Sequence, residues 1–126
     1  MKLIKCRKCG ATICTDQAFL DRMLDCIEEL SEKARKGKKV FEKLKCGDCH
    51  SGIYYTDRKM HRIGQDVEFE KGWDTPTLRE VWRTAPYLFD GRAATMHEVF
   101  SIHRHGIDRK VSRKEIEALT EFVNSL

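Results

Sequence analysis

The chain has 126 residues, of which 40% are hydrophobic and 35% charged, and its formal net charge at pH 7 is +4. This length accommodates one compact domain with a short extension, and no apolar run approaches the ~20 residues that a membrane-spanning helix needs. Lysine and arginine alternate with acidic residues instead of forming a single-sign stripe with aromatic platforms, so we do not expect nucleic-acid binding.

The N-terminal part of the chain combines a cysteine-rich segment with a predicted helix. Residues 1–15 are basic and show no periodic pattern. Residues 16–36 carry apolar side chains at the i, i+3, i+4, i+7 spacing of one helix face, which predicts an amphipathic helix. We therefore treat residues 1–36 as a separate unit. Its apolar helix face either covers the rest of the chain or pairs with a second copy in a homo-oligomer.

A second helical segment is predicted from about residue 38 up to Cys46, with Gly37 as a break or bend between it and the first helix. Residues 52–73 lose all periodicity and read as loops. The segment between Pro76 and Pro86 predicts one short helix.

Two helices are predicted in the last third of the chain. The string "TMHEVF" over residues 95–100 predicts a short helix, and "SRKEIEALTEFVNSL" over residues 112–126 predicts a closing amphipathic helix. Ser112 and Glu115 have the spacing of a capping box at its start. Because no segment shows the alternation of a strand, the sequence predicts an all-α fold with long loops.

The string "KCGDCHSG" carries the strongest chemical signal. Cys46 and Cys49 are separated by two residues, and His50 follows directly. This C-x-x-C-H run is the attachment signature of c-type haem: one turn presents two sulfurs to the two vinyl groups at one edge of the porphyrin, and the adjacent histidine coordinates the iron. A zinc site would need a second ligand pair beside Cys46 and Cys49, and a thioredoxin-like dithiol would need a βαβ context, which the sequence does not show. We expect one covalent haem c.

A second C-x-x-C run, "KCRKCG", has glycine where the first has histidine, so we do not expect haem there. The chain also has two further cysteines in this region, which makes a set of four: Cys6, Cys9, Cys14 and Cys26. Three states stay open for this set, namely disulfides, a zinc or iron–sulfur site, and free thiols. No secretory signal is visible in residues 1–10, so we expect that an export signal was removed or replaced.

Three strings resemble a known family. "GKKVFEKLKCGDCHSG" looks like the first helix and haem motif of a cytochrome c domain. "TPTLREVWRTAPYLFDGRAATMHEVF" is similar to the segment after the haem motif in the bacterial di-haem cytochrome c peroxidase superfamily, in particular the haem c domains that end certain β-propeller cytochrome proteins. "SRKEIEALTEFVNSL" resembles their closing helix. The resemblance covers residues 37–126 and implies a class I-like cytochrome c fold, in which the first and last helices cross.

Residue type alone does not identify the second axial ligand of the iron, because several histidines and methionines follow the motif: Met60, His61, Met96, His97, His103 and His105. Met96 would raise the potential and give an ordinary electron carrier. The resemblance instead implies His103, because the family's iron ligand lies at that position and Met96 falls where the family has a packing leucine. His105 and an open coordination position are the remaining alternatives.

Two arginines lie in the strings that carry the resemblance. Arg79 and Arg92 either pair with the haem propionates or form ordinary ion pairs. Phe89 replaces the histidine of the family's "PYLHDG" string, which removes a polar group near the haem.

These observations predict a single-haem c-type cytochrome that transfers electrons outside the cytoplasm, in the periplasm or beyond it. The expected partners are redox proteins or other haem domains. An electron carrier is favoured over an enzyme because we find one haem motif where the family's enzyme has two haems, and Phe89 where the family has a histidine. The alternatives are a peroxidase-type haem enzyme or a fragment of one, and a haem-based sensor or docking module that uses the N-terminal cysteines.

Overall fold

Helices make up most of the described secondary structure. A computed structural model describes residues 4–5, 12–13, 31–63 and 70–126. The chain divides into two compact units, Met1–Glu32 and Lys33–Leu126. In the first unit, strands β1 (Ile4–Lys5) and β2 (Thr12–Ile13) pair antiparallel. The predicted helix over residues 16–36 lies outside the described residues up to residue 30, and the domain boundary after residue 36 stays a prediction.

The helix that leads towards Cys46 continues through Gly37. Helix α1 spans Glu32–Lys43, so the predicted break at this glycine was wrong. Gly37 is buried against the last helix, α3 (Arg113–Asn124), and a Cβ atom built on it would lie 1.9 Å from the carbonyl oxygen of Ala118. Glycine stands at this position because only a hydrogen atom fits between the two backbones, and the close approach outweighs its low helix propensity.

Two further contacts join α1 to α3. The rings of Phe41 and Phe122 meet edge to face with their centroids 5.4 Å apart, an arrangement that aromatic pairs favour. At the end of α1, Lys43 Nζ lies 2.6 Å from Glu115 Oε1. These contacts fix the C-terminal end of α1, from which the chain enters the Cys46 motif.

The last two helices are present as predicted, and both have side-chain caps at their first turns. Helix α2 spans Met96–Ser101, and the Thr95 hydroxyl accepts a hydrogen bond from the backbone N–H of Glu98. At the start of α3, Ser112 and Glu115 form the predicted capping box in both directions. The apolar faces of the three helices share one core with residues of the loops: Val40, Phe41, Leu44, Leu78, Val81, Ala93, Met96, Val99, Phe100, Ile107, Ile116, Leu119, Phe122, Val123 and Leu126.

The described residues between α1 and α2 form loops and short elements. Strands β3 (Met60–His61) and β4 (Trp73–Asp74) form a two-residue antiparallel ladder, and a 3-10 turn covers Val81–Arg83 where the sequence predicted a short helix. Strands of two residues are too short to show the alternation of apolar and polar side chains that marks a strand, so the predicted all-α fold did not include them. None of the helices in the described ranges has the length and apolarity that crossing a membrane requires.

Candidate functional site

The Cys46 motif forms a tight turn directly after α1. Lys45 adopts a left-handed backbone conformation with φ 58°, and a 3-10 turn over Cys46–Asp48 follows it. The backbone N–H of His50 donates to the carbonyl of Cys46 over 2.9 Å, which closes the turn. Cys46, Cys49 and His50 are all half-buried, and neither cysteine is in a disulfide. The turn thus gathers two thiols and one imidazole within five residues.

Both thiols of the motif are held in their protonated form. Burial raises the pKa of Cys46 to about 11, and burial together with the carboxylates of Asp57 and Asp48 raises that of Cys49. Reactive dithiols and thiolate ligands have lowered pKa values instead. Among the described residues, no three His, Cys, Asp or Glu side chains converge so as to hold a metal ion by themselves. The raised pKa values differ from those of a reactive dithiol, and the described residues offer no further ligands for a tetrahedral zinc site at this turn.

The imidazole of His50 is oriented by a backbone carbonyl. Its Nδ1 lies 3.1 Å from the carbonyl oxygen of Tyr55, so we assign the ring proton to Nδ1, which donates to this acceptor. Burial lowers the pKa of His50, and the backbone carbonyls of Tyr55 and Pro76 only partly offset it. The ring is therefore neutral at pH 7 with the lone pair on Nε2, the form in which histidine binds a metal.

Residues 53–55, which include the Tyr55 carbonyl, are clamped by side chains of the "TPTLR" string, residues 75–79. Arg79 Nε donates to the carbonyl of Ile53 over 2.7 Å, and its guanidinium lies 5.0 Å from the centroid of the Tyr55 ring. The Thr77 hydroxyl donates to the carbonyl of Tyr54. Tyr55 sits in a left-handed conformation, φ 52°, which costs free energy for a residue with a large side chain. The clamp holds the turn that orients His50.

Sequence reasoning missed this clamp. The sequence offered two roles for Arg79, a propionate partner or an ordinary ion pair. In the structure, its Nε bonds to the Ile53 carbonyl and its guanidinium lies over the Tyr55 ring. A backbone carbonyl cannot be identified from residue types. The one available signal was that Arg79 belongs to the same string as Pro76 and Thr77.

A second imidazole lies near that of His50. The ring centroids of His50 and His105 are 6.4 Å apart, and the ring planes are inclined by 54°. His105 follows α2 in a loop and is half-buried. His103, the ligand that the resemblance implied, is also half-buried, and its backbone N–H donates to the carbonyl of Glu98. The structure thus brings His105 to His50, while the ligand role of His103 stays a prediction.

Three of the other ligand candidates make local contacts, and Met60 is 50% exposed in β3; a ligand role for any of them stays a prediction. Met96 is 6% exposed and packs in the helical core. His61 Nε2 lies 2.6 Å from the carboxylate of Asp57, and His97 Nδ1 lies 3.2 Å from the hydroxyl of Ser101. Each of these side chains has a local structural role.

Arg92 and Phe89 belong to a stack of side chains. Phe89 lies parallel to Trp73 with centroids 4.2 Å apart, and the guanidinium of Arg92 lies 4.8 Å from the Phe89 centroid. Arg92 Nε also lies 2.9 Å from both carboxylate oxygens of Asp90. The aromatic stack accounts for a phenylalanine at the position of the family's histidine. Pairing of Arg79 or Arg92 with propionates stays a prediction.

The N-terminal cysteines lie outside the described residues. This set is Cys6, Cys9, Cys14 and Cys26, and their three alternative states stay predictions.

The chain is similar in sequence to two bacterial proteins. It is 27% identical to the methylamine utilization protein MauG of Methylophilus methylotrophus, and the alignment covers 91% of this chain and 43% of that protein. It is 23% identical to the cytochrome c551 peroxidase of Nitrosomonas europaea, over 91% of this chain and 40% of that protein. The chain therefore spans less than half the length of these relatives. No family model matches it.

Proposed function

From the chain's relationship to the bacterial di-haem cytochrome c peroxidase superfamily, which the two similarities confirm, we propose that residues 37–126 form a class I-like cytochrome c domain. The domain carries one covalently attached haem c and transfers single electrons outside the cytoplasm. The observation that carries the proposal is the turn over Cys46 to His50, with both thiols free and a neutral imidazole whose Nε2 bears the lone pair.

The residues present fit this group. Cys46 and Cys49 are free, half-buried thiols at C-x-x-C spacing, and each S–H group would add across one haem vinyl group to form a thioether. His50 would hold the iron through Nε2, because Nδ1 donates to the Tyr55 carbonyl. When bound, haem supplies a one-electron redox centre. The protein contributes attachment through Cys46 and Cys49, orientation of His50, and the apolar surroundings that set the potential.

An electron carrier is the function that the loop after α2 supports. This loop carries two histidines, His103 and His105, and the ring centroid of His105 lies 6.4 Å from that of His50. A haem held by His50 and by a second imidazole from this loop would have no open position at which peroxide binds. The Phe89 stack also places a hydrocarbon ring, with no proton to exchange, at the family's histidine position. No contact among the described residues specifically favours the peroxidase alternative. The sensor alternative depends on the N-terminal cysteines, which lie outside the described residues.

The partners follow from the same proposal. Helix α1 ends at the haem-attachment turn and exposes several basic side chains, namely Lys33, Arg35, Lys36, Lys38, Lys39 and Lys43. An acidic redox protein or another haem domain would be steered to this end of the molecule by charge. Such steering predicts a transfer rate that falls as ionic strength rises.

Spectroelectrochemistry of the matured full chain tests the function. We expect one Nernstian wave with the slope of a single electron, about 59 mV per tenfold change in the ratio of oxidised to reduced protein. We also expect no turnover of hydrogen peroxide with a reduced electron donor. Sustained peroxide reduction by the same preparation would contradict the carrier function and establish the peroxidase alternative.

A further inference from the structure

We infer that His105, and not His103, is the second axial ligand of the haem iron. This inference rests on the proposed function and names a residue of the same site. The observation behind it is the pairing of the His50 and His105 rings, which come from segments 55 residues apart in the chain. The two rings are presented by different elements, the turn after α1 and the loop after α2.

The separation of the rings matches the space that an iron between them requires. A metal–imidazole nitrogen bond of about 2 Å puts each ring centroid about 3 Å from the metal, so two ligands on opposite sides have centroids about 6 Å apart. The observed separation is 6.4 Å. The 54° inclination is compatible with this arrangement because axial rings rotate independently about the metal–nitrogen axis.

The loop that carries His105 is held by its own hydrogen bonds. The backbone N–H of His105 donates to the carbonyl of Val99 over 3.0 Å, and that of Ile107 donates to Arg104 over 2.9 Å. Ile107 is 8% exposed and anchors the loop in the core. Arg104 Nη2 donates to the carbonyl of Arg109 over 2.7 Å. A ligand on such a loop is positioned before the iron arrives, which is what a fixed axial bond requires.

The conformation of Arg104 separates the two histidines. In an extended segment, residues i and i+2 lie on the same side, and His103 and His105 would then be equivalent candidates. Arg104 instead adopts the left-handed conformation, with φ 48°, so the chain turns between them. The sequence alone could not show this turn, because Arg is not a residue that marks it.

Replacing the two histidines one at a time in the matured full chain tests the inference. The wild type should give the low-spin, two-imidazole signature in ferric electron paramagnetic resonance and near-infrared magnetic circular dichroism. His105→Ala should lose that signature and recover it when free imidazole is added. His103→Ala is the matched control, with the same substitution two residues away, and should keep it.

Carbon monoxide binding to the ferrous protein provides a second readout. If the sixth ligand dissociates about 1% of the time, its removal should raise the apparent affinity for carbon monoxide about 100-fold in His105→Ala, and not in His103→Ala. Should His105→Ala not accumulate, His105→Met should retain haem and change to a histidine–methionine signature with a raised potential.

The outcomes separate this inference from the function on which it rests. Loss of the two-imidazole signature in His103→Ala with retention in His105→Ala overturns the inference and leaves the cytochrome assignment intact. Retention in both variants also overturns it. A wild type that matures without haem overturns the proposed function itself.

Discussion

Gly37→Ala is the substitution whose effect the structure defines most sharply. The new Cβ would lie 1.9 Å from the carbonyl oxygen and 2.5 Å from the carbonyl carbon of Ala118, and 2.7 Å from Cβ of Phe122. All three atoms are fixed to the α3 backbone, so no side-chain rotation relieves the overlap. Because contacts at optimal separation are about 3.5 Å or more, α1 and α3 have to separate by about 1.5 Å at this point.

Two opposing effects determine how Gly37→Ala changes the free energy of unfolding. Forcing an extra methyl group into a packed interface costs up to about 3 kcal/mol, and replacing glycine by alanine within a helix returns about 1 kcal/mol. We therefore expect the free energy of unfolding of Gly37→Ala to fall by about 2 kcal/mol. This corresponds to a decrease of the melting temperature by roughly 10 °C for a domain of this size.

Urea unfolding followed by far-ultraviolet circular dichroism measures this loss. Gly47→Ala is the matched control, because its Cβ would meet only the Phe41 ring at 3.8 Å, an ordinary contact. The control should lie within about 0.5 kcal/mol of the wild type. Equal unfolding midpoints for the two variants would refute the close contact between α1 and α3 at Gly37.

Two further predictions concern the clamp and the capping box. Arg79→Gln should loosen the turn whose carbonyl orients His50 and so weaken the imidazole as an electron donor, which raises the reduction potential of the haem. Arg92→Gln is the control and should leave the reduction potential unchanged. Equal reduction potentials for the two variants would contradict a positioning role of Arg79. The hydrogen bond from Lys43, followed by those from Ser112, lowers the pKa of Glu115 from 4.5 to about 2, so its stabilising contribution is present above pH 4.5 and is lost as the pH falls towards 2. Glu115→Gln should therefore be less stable than the wild type at pH 7 and lose less stability between those pH values, and parallel acid-unfolding profiles would contradict this assignment.

The elements that the sequence predicted well are those with local signals. The capping box of α3 depends on two residues three apart, and both bonds are present. The string "TMHEVF" predicted a short helix over residues 95–100, and α2 spans Met96–Ser101. The Cys46 motif is contiguous, so its turn needs no information from distant parts of the chain.

The features that the sequence could not give depend on partners far along the chain. Gly37 looked like a helix break because its contact with Ala118 is 81 residues away. The resemblance implied His103 by its position in a motif, whereas the structure brings the His105 ring to within 6.4 Å of the His50 ring, and the left-handed Arg104 lies between the two histidines. Arg79 acts on a backbone carbonyl, which leaves no trace in residue identity.

The mass of the intact protein under denaturing conditions tests the central claim most directly. The chain is produced with an export signal in a host that matures c-type cytochromes, together with a Cys46→Ser/Cys49→Ser variant and a Cys6→Ser/Cys9→Ser variant of the same spacing. We predict that the wild type and the second variant retain the mass of one haem and that the first variant does not. A wild-type mass equal to that of the polypeptide alone, or haem retained after both Cys46 and Cys49 are replaced, would contradict it.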